Sequence, residues 1–241
     1  MKDRIFIIDG SSYLYRAYHA MPPLTASSGQ PTGAIKGVTN MLMTLKKESE
    51  GSPIIVTFDA KGKTFRSDIY EEYKANRPPM PDALREQLAQ LKEICKAIGF
   101  PLIEIEGVEA DDVIATLVKI AKENNFKSVI SSLDKDLMQL VEDPISSIMN
   151  TMTHQIFNEE KVFEKFGVKP SQIRDMLALV GDTSDNIPGV PKVGQKTAAK
   201  WLNEFGDLDG IRKNADSIKG VVGQNLRDSL NELDRNIELV S

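Results

Sequence analysis

Short apolar runs alternate with longer stretches of helical periodicity through the first 150 residues. The runs cover residues 4–9, 54–59, 101–105 and 127–132, and each reads as a strand buried on both faces, as in a parallel sheet. Between them, residues 33–48 and 82–98 repeat apolar positions every three to four residues, which predicts amphipathic helices. The pattern predicts an α/β fold with a mostly parallel, doubly wound sheet, which binds ligands at the carboxyl ends of its strands.

Acidic residues follow all four predicted strands. The set comprises Asp9, Asp59, Glu109, Asp111, Asp112, Asp134 and Asp136. Because parallel strands end at one edge of a sheet, we expect these carboxylates to form an oxygen-ligand site for hard divalent cations such as Mg²⁺. For residues 109–112 alone, a capped helix with solvated acids is the alternative, and it needs only one or two of the three carboxylates.

The chain changes character near residue 158, where short helices replace the alternating pattern. Residues 145–157 indicate a hairpin or irregular strands, and residues 170–180 and 221–239 indicate helices. Asp182 and Asp185 lie in a loop rich in Gly, Ser and Asn. They either extend the acidic set or form an Asx turn that caps the next helix.

The sequence after this loop, Gly189-Val-Pro-Lys-Val-Gly-Gln-Lys-Thr-Ala, is typical of a helix–hairpin–helix. We expect its glycines to let the backbone approach a DNA phosphate, and the helix starting near Gln195 to offer that phosphate its free N–H groups. Neighbouring lysines supply positive charge. The residues concerned are Gly189, Lys192, Gly194, Lys196 and Lys200.

A basic segment follows the second predicted strand, at residues 60–80. It reads either as a solvated helix of mixed charge before a Pro-Pro turn, or as a segment that holds a DNA strand. In the second interpretation Tyr73 is a stacking platform for an unpaired base, and five cations contact phosphates. The five are Lys61, Lys63, Arg66, Lys74 and Arg77.

Composition narrows the class of protein. The net charge of −5 is unfavourable for a nucleic-acid binder, but setting aside the nine acids named above leaves +4 on the rest of the 241 residues. One cysteine and two histidines argue against a disulfide framework and a histidine-based zinc site. Neither a signal peptide nor an apolar run of about 18 residues is visible, so we expect a cytoplasmic protein that does not cross a membrane.

Six ordered motifs make the chain resemble the 5′ nuclease (flap endonuclease) superfamily, and most closely the 5′–3′ exonuclease domains of bacterial DNA polymerase I. The first three are Ile-Ile-Asp-Gly-Ser-Ser-Tyr-Leu-Tyr-Arg-Ala-Tyr from residue 7, Phe-Asp-Ala-Lys-Gly-Lys-Thr-Phe-Arg from 58 and Glu-Tyr-Lys-Ala-Asn-Arg-Pro-Pro-Met-Pro from 72. The others are Glu-Ala-Asp-Asp at 109, Asp-Lys-Asp at 134 and Gly-Asp-Thr-Ser-Asp-Asn-Ile-Pro-Gly-Val at 181. Two departures are Ser132-Leu133, where the family usually has Gly or Ala, and Lys192, where the hairpin often has Gly.

The resemblance implies a PIN-like nuclease core over residues 1–157, with a helical arch at about 60–81, and a helical DNA-binding region over 158–241 with its helix–hairpin–helix at about 186–202. It implies that all nine acids hold two or more Mg²⁺ or Mn²⁺ ions, with Glu109, Asp111, Asp134 and Asp136 as direct ligands. Lys74 and Arg77 would act on the scissile phosphate, beside Tyr73 and Arg16, and hairpin carbonyls would hold K⁺.

The activity implied is hydrolysis of phosphodiester bonds at 5′ ends and 5′ flaps of DNA, as in primer processing during replication and in repair. A monomer is expected, with a DNA polymerase domain as a partner in the same chain or in trans. The alternatives are a related RNase and a non-catalytic module that binds branched DNA.

Overall fold

The computed structural model describes residues 3–241. Its strands are β1 (Arg4–Asp9), β2 (Ile54–Thr57), β3 (Leu102–Ile103), β4 (Lys127–Ser131), β5 (Ser146–Met149), β6 (Ile156–Phe157), β7 (Gly181–Asp182) and β8 (Ile187–Pro188). Its helices are α1 (Gly10–Ala20), α2 (Gly33–Glu48), α3 (Phe65–Ile69), α4 (Asp82–Ile98), α5 (Ala110–Glu123), α6 (Glu159–Phe166), α7 (Ile173–Val180), α8 (Gln195–Phe205), α9 (Leu208–Lys213), α10 (Gly220–Ser229) and α11 (Leu233–Val240).

One sheet contains the first six strands, in the order β3-β2-β1-β4-β5-β6. All neighbours are parallel except β5 and β6. The central strand β1 is apolar on both faces, with Phe6, Ile7 and Ile8 buried, as its uninterrupted run predicts. Helices α2 and α4 pack their apolar stripes into the same core, through residues such as Leu42 and Leu91. The predicted α/β architecture is confirmed.

Several predicted elements differ in length from the observed ones. The third strand is only β3, and the chain turns soon after it, at Glu106 and Gly107. Between the strand and the turn, Glu104 pairs with Lys92 at 2.5 Å and Ile105 is exposed. The closing helix is broken into α10 and α11 by a 3₁₀ turn at Leu230–Glu232. By contrast, α2 and α4 begin and end at the predicted residues.

The chain divides into two compact units. The first contains residues 1–62, 79–137 and 142–157, and therefore the six-stranded sheet. The second contains residues 63–78, 138–141 and 158–241. The sequence assigned the segment around 60–81 to the nuclease core, whereas residues 63–78 group with the helical unit. The reason is a dense set of hydrogen bonds to that unit, described below.

Within the second unit, β7 and β8 form a two-stranded ribbon after α7, and α8 follows the turn after β8. Gly189 is required here, because a Cβ on it would lie 2.1 Å from the carbonyl oxygen of Val180. Among residues 3–241, none of the helices has both the length and the apolar character that crossing a bilayer requires.

Candidate active site

Asp9 lies at the carboxyl end of β1 and begins α1. Its Oδ1 accepts the N–H of Ser12 at 2.8 Å, which caps the helix, and its Oδ2 accepts the hydroxyl of Ser132 at 2.7 Å. The residue is 5% exposed. Its carboxylate is therefore fixed at the centre of the sheet edge by donors from two neighbouring strand ends.

Two more acids act on Asp9 electrostatically. Burial is the largest cause that raises the pKa of its carboxyl, to about 6, against the lowering by the Ser12 N–H and the Ser132 hydroxyl. The carboxylates of Asp134 and Asp59 raise it further. A like charge raises the pKa of a carboxyl when the two groups are near one another, so the acids at the ends of β2 and β4 lie near Asp9.

The end of β4 leads into a chain of hydrogen bonds that orders its two acids. The Oγ of Ser132 accepts the N–H of Asp134 at 3.0 Å, and Oδ1 of Asp134 accepts the N–H of Asp136 at 2.9 Å. Ser132 is thus a bridge from Asp9 to the Asp134–Asp136 turn. The sequence flagged Ser132 only as a departure from the family's pattern and gave it no role.

The end of β2 is linked in the same way to the start of α5. Asp59 accepts the N–H of Ala110 on its Oδ1 at 2.9 Å, and its own N–H donates to the Oγ of Ser11 at 3.3 Å. Glu109 and Asp112 form a reciprocal capping box, in which Oδ2 of Asp112 accepts the N–H of Glu109 at 2.8 Å. The helix cap of the alternative interpretation is therefore present, and it is formed by Glu109 and Asp112.

Across residues 3–241, no group of three or more His, Cys, Asp or Glu side chains is arranged to hold a metal ion directly. The metal set drawn from the sequence, with Glu109, Asp111, Asp134 and Asp136 as direct ligands, stays a prediction. The donor set itself consists of carboxylate oxygens, and such ligands suit hard divalent cations.

Asp182 and Asp185 belong to the second unit, in the loop between β7 and β8. Oδ1 of Asp182 accepts the N–H of Ser184 at 2.7 Å, which is the Asx turn that the sequence offered as one alternative. Asp185 accepts the hydroxyl of Tyr73 at 3.0 Å and pairs with Lys74 at 3.6 Å and with Arg77. Their place in the metal set stays a prediction.

Two residues expected to contact DNA have other roles in this structure. Arg66 is 4% exposed and donates from Nε to the carbonyl of Leu239 at 2.9 Å, so its guanidinium caps the end of α11. Tyr73 is 7% exposed, and the ammonium of Lys74 lies 4.8 Å from the centre of its ring. Tertiary partners thus cover both side chains in this structure, which is unfavourable for the phosphate contact predicted at Arg66 and the stacking platform predicted at Tyr73.

The predicted hairpin has the expected start of α8 at Gln195, with Gly194 as its N-cap. Space is open where a Cβ on Gly194 would stand, so that backbone is approachable, whereas Gly189 serves packing against α7. Lys192 has φ of +65°, which explains why Gly suits this position. The exposed cations are Lys61, Lys63, Arg77, Lys192, Lys196 and Lys200, with Arg16 and Lys74 half-buried.

Family models account for nearly the whole chain. Residues 4–167 match the model described as 5′–3′ exonuclease, N-terminal resolvase-like domain, and residues 168–241 match 5′–3′ exonuclease, C-terminal SAM fold. This chain belongs to the 5′–3′ exonuclease family. The resemblance drawn from the six motifs is confirmed. The predicted enzyme class, a metal-dependent nuclease, is confirmed with it.

Curated relatives include two kinds of protein. The 5′–3′ exonuclease of Aquifex aeolicus is 47% identical over 210 residues, which are 87% of this chain and 72% of the relative. DNA polymerase I of Pseudomonas aeruginosa is 55% identical over 202 residues, which are 84% of this chain and 22% of the polymerase. The chain thus corresponds to about a fifth of the polymerase's length.

Solved structures agree with the fold. The T5 5′-exonuclease with bound zinc superposes with a TM-score of 0.84 at 28% identity, over 98% of this chain and 89% of that one. A bacteriophage T5 flap endonuclease complex with DNA and metal ions gives 0.83 at the same identity, over 98% and 88%.

Sequence reasoning missed several polar residues that hold the acids in place. Ser11 and Ser132 tie strand ends together in the first unit, and Asn76 and Asn186 tie segment 63–78 to the β7–β8 loop in the second. The one feature of the sequence that could have identified them is proximity, because each lies within three residues of a predicted functional residue.

Proposed function

We propose that this chain is a structure-specific nuclease that hydrolyses phosphodiester bonds at the 5′ ends and 5′ flaps of DNA. The observation that carries the proposal is the network at the sheet edge, where Asp9 is buried beside the charges of Asp59 and Asp134. A fold does not gather like charges at the carboxyl ends of parallel strands for stability, since their repulsion costs free energy. A bound cation offsets that cost.

The metal set in this proposal contains two or more Mg²⁺ or Mn²⁺ ions. Asp111, Asp134 and Asp136, with Glu109, are the direct ligands, and the remaining acids act mostly through water, because Mg²⁺ retains much of its hydration shell. Glu109 would serve both as a ligand and as a member of its capping box with Asp112. The bound ions supply a nucleophilic water and charge stabilisation at the leaving 3′ oxygen. The remaining acids in the set are Asp9, Asp59, Asp112, Asp182 and Asp185.

The chain's own cations orient the substrate. Lys74 and Arg77 lie together in segment 63–78, and they neutralise the phosphate on which charge develops. Lys63 is exposed at the start of this segment, and Lys61 is exposed just before it. With Arg16, they contact the 5′ strand. The start of α8 supports a duplex contact, since Gly194 is open and Lys192, Lys196 and Lys200 are exposed around it.

A K⁺ ion held by carbonyls of residues 189–194 completes the duplex site. Within this turn the carbonyl of Pro191 accepts from Asn225 at 2.6 Å and that of Val190 from Val193 at 3.0 Å, so the turn is rigid. Duplex affinity should be higher in KCl than in LiCl at equal ionic strength.

In the cell we assign this activity to primer and flap removal in replication and repair, in the cytoplasm, as a monomer working with a DNA polymerase domain in the same chain or in trans. The second candidate function is a related RNase. The exposed lysines around α8 favour the DNA nuclease over it, because they suit a duplex partner.

Product mapping on a 5′-flap DNA labelled at its 5′ end tests the proposal. With Mg²⁺ we expect cleavage at the base of the flap, and none in EDTA. Asp111→Ala should abolish cleavage and leave DNA binding measurable, and a matched RNA flap should be cut more slowly. Binding without cleavage by the wild-type chain would favour the non-catalytic module, and faster cleavage of the RNA flap would favour the RNase.

A further inference from the structure

Segment 72–77 is clasped to the loop between β7 and β8 by both backbone and side chains. The N–H of Lys74 donates to the carbonyl of Asp185 at 2.9 Å, and Asn186 returns a 2.7 Å bond to the carbonyl of Glu72. Asn76 and Arg77 add bonds at 2.8 and 3.1 Å to the carbonyls of Thr183 and Ser184. Both partners belong to the second unit.

The carboxylate of Asp185 lies at the middle of this clasp. It accepts the Tyr73 hydroxyl on Oδ2, faces the Lys74 ammonium at 3.6 Å, and receives a charge-assisted bond from the Arg77 guanidinium on Oδ1. Its side chain is 13% exposed, against 24% for Lys74 and 50% for Arg77. An anion with two oxygens thus faces two cations on a partly open surface.

The backbone shows that the clasp holds these cations in one geometry. Lys74 and Asn186 both have φ of +57°, which lies in the left-handed region that residues other than Gly adopt less often. Such conformations persist only where surrounding contacts determine them, and here each of the two residues bonds to the partner segment.

We propose that Asp185 stands in for a DNA phosphate and is displaced from Lys74 and Arg77 when the substrate binds. The proposal rests on the proposed function, because it takes these two cations as phosphate contacts. Guanidinium and ammonium groups bind carboxylates and phosphates through the same donors, so one anion can replace the other without the cations moving far. The carboxylate keeps the cations positioned in the free protein, and the phosphate, with more acceptor oxygens, competes for them.

A competitor that occupies the cations must weaken DNA binding. Removing its charge while keeping its shape should therefore tighten metal-free binding. Each partly exposed ion pair is worth about 1.4–5-fold in an equilibrium constant, so releasing two of them predicts a Kd lower by about 2–30-fold.

The test measures Kd for a fluorescent 5′-flap DNA by anisotropy in EDTA, where no metal competes for Asp185. Asp185→Asn should lower Kd by that factor, and Asp185→Ser repeats the test should the amide variant not fold. In the background of Arg77→Ala the gain from Asp185→Asn should shrink, which a double-mutant cycle measures. Asp216→Asn makes the same charge change at an exposed position of this unit and should leave Kd within about twofold.

A second readout requires no DNA. Trypsin cleaves after Lys74, and loss of the ion pairs in Asp185→Asn should speed that cleavage in the free protein. An unchanged or raised Kd in Asp185→Asn, or an equal gain in Asp216→Asn, would overturn the proposal. Flap cleavage by the wild-type chain in Mg²⁺ tests the proposed function separately, so a failure of either is recognisable.

Discussion

The hydroxyl of Ser132 donates a 2.7 Å hydrogen bond to Oδ2 of Asp9 while its oxygen accepts the N–H of Asp134. One small side chain thereby connects the ends of two neighbouring strands. Ser132→Ala removes a hydrogen bond to a buried carboxylate, so at pH 8 the free energy of unfolding should fall by about 1–3 kcal/mol. Turnover should also fall, because Asp9 and Asp134 lose their shared anchor. Urea denaturation and single-turnover cleavage measure the two effects.

Ser128 is a matched control on β4, the strand that Ser132 directly follows. It is 1% exposed, and its Oγ has no hydrogen-bond partner within residues 3–241. Ser128→Ala removes an unsatisfied buried hydroxyl and should leave stability unchanged or raise it. Equal destabilisation by both substitutions would show that packing at β4, and not the bond to Asp9, explains the Ser132 result.

Asp9 should carry a stability cost that depends on pH. Its folded pKa of about 6 lies above the ordinary value of 3.8. The folded protein therefore favours the protonated form of Asp9. The folded state has its full stability from this group below pH 4, and it loses up to roughly 3 kcal/mol of that stability as the pH rises through 6. Asp9→Asn should be more stable than wild type at pH 8 in EDTA, match it near pH 4, and be inactive. Denaturation curves at both pH values check this.

Exposed Asp216 is the control for this comparison, since Asp216→Asn should change stability little at either pH. An Asp9→Asn protein that is less stable than wild type at pH 8 would contradict the prediction. It would mean that the bonds from Ser12 and Ser132 outweigh the cost of burying the charge.

The sequence predicted elements whose cause is local. Helices α2 and α4 have the predicted bounds because apolar periodicity and, for α4, the left-handed Gly99 after its last turn decide where they end. Asp9 follows a strand that is apolar on both faces, so its place at the sheet edge follows from the pattern. These features depend only on residues near one another in the chain.

Features that depend on distant partners could not be read from the sequence. Arg66 and Tyr73 lie in a basic segment that resembles a DNA contact, but Leu239 and Asp185 lie more than 100 positions away and cover them. A charged residue in a polar stretch looks the same in the sequence whether its side chain faces solvent or binds a backbone carbonyl. Ser132 is a similar case, because its acceptor is 123 positions earlier.

Arg66 should stabilise the protein and contribute little to DNA affinity. It is buried and donates to the carbonyls of Leu239 and Ser241, at 2.9 and 2.5 Å. Arg66→Ala leaves these carbonyls unsatisfied and should lower the free energy of unfolding by about 2–4 kcal/mol. Lys63→Ala, at an exposed position of the same segment, should do the reverse: unchanged stability and a higher Kd for DNA. A raised Kd with unchanged stability for Arg66→Ala would restore its role as a DNA contact.

Lys74 and the lysines of α8 should affect different steps. Lys74 is held beside Arg77 by Asp185, in the segment we assign to the scissile phosphate, so it should act where charge develops. Lys74→Ala should lower the rate at saturating enzyme with little change in Kd, because the variant loses the ion pair with Asp185 in the free protein as well as the phosphate contact in the complex. Because Lys74 has φ of +57°, Lys74→Gly is the companion variant that removes the charge without backbone strain.

Lys196 and Lys200 are exposed on α8, next to the open backbone at Gly194, and should bind duplex phosphates in the ground state. Replacing both with Ala should raise Kd and reduce the salt dependence of binding by about one unit of slope for each lost contact. The saturating rate should stay nearly intact, because these phosphates carry the same charge before and during the reaction. Single-turnover cleavage at several enzyme concentrations and salt concentrations separates the two cases. If Lys74→Ala changed only Kd, or the double lysine variant changed only the saturating rate, the assignment of these residues to separate steps would be wrong.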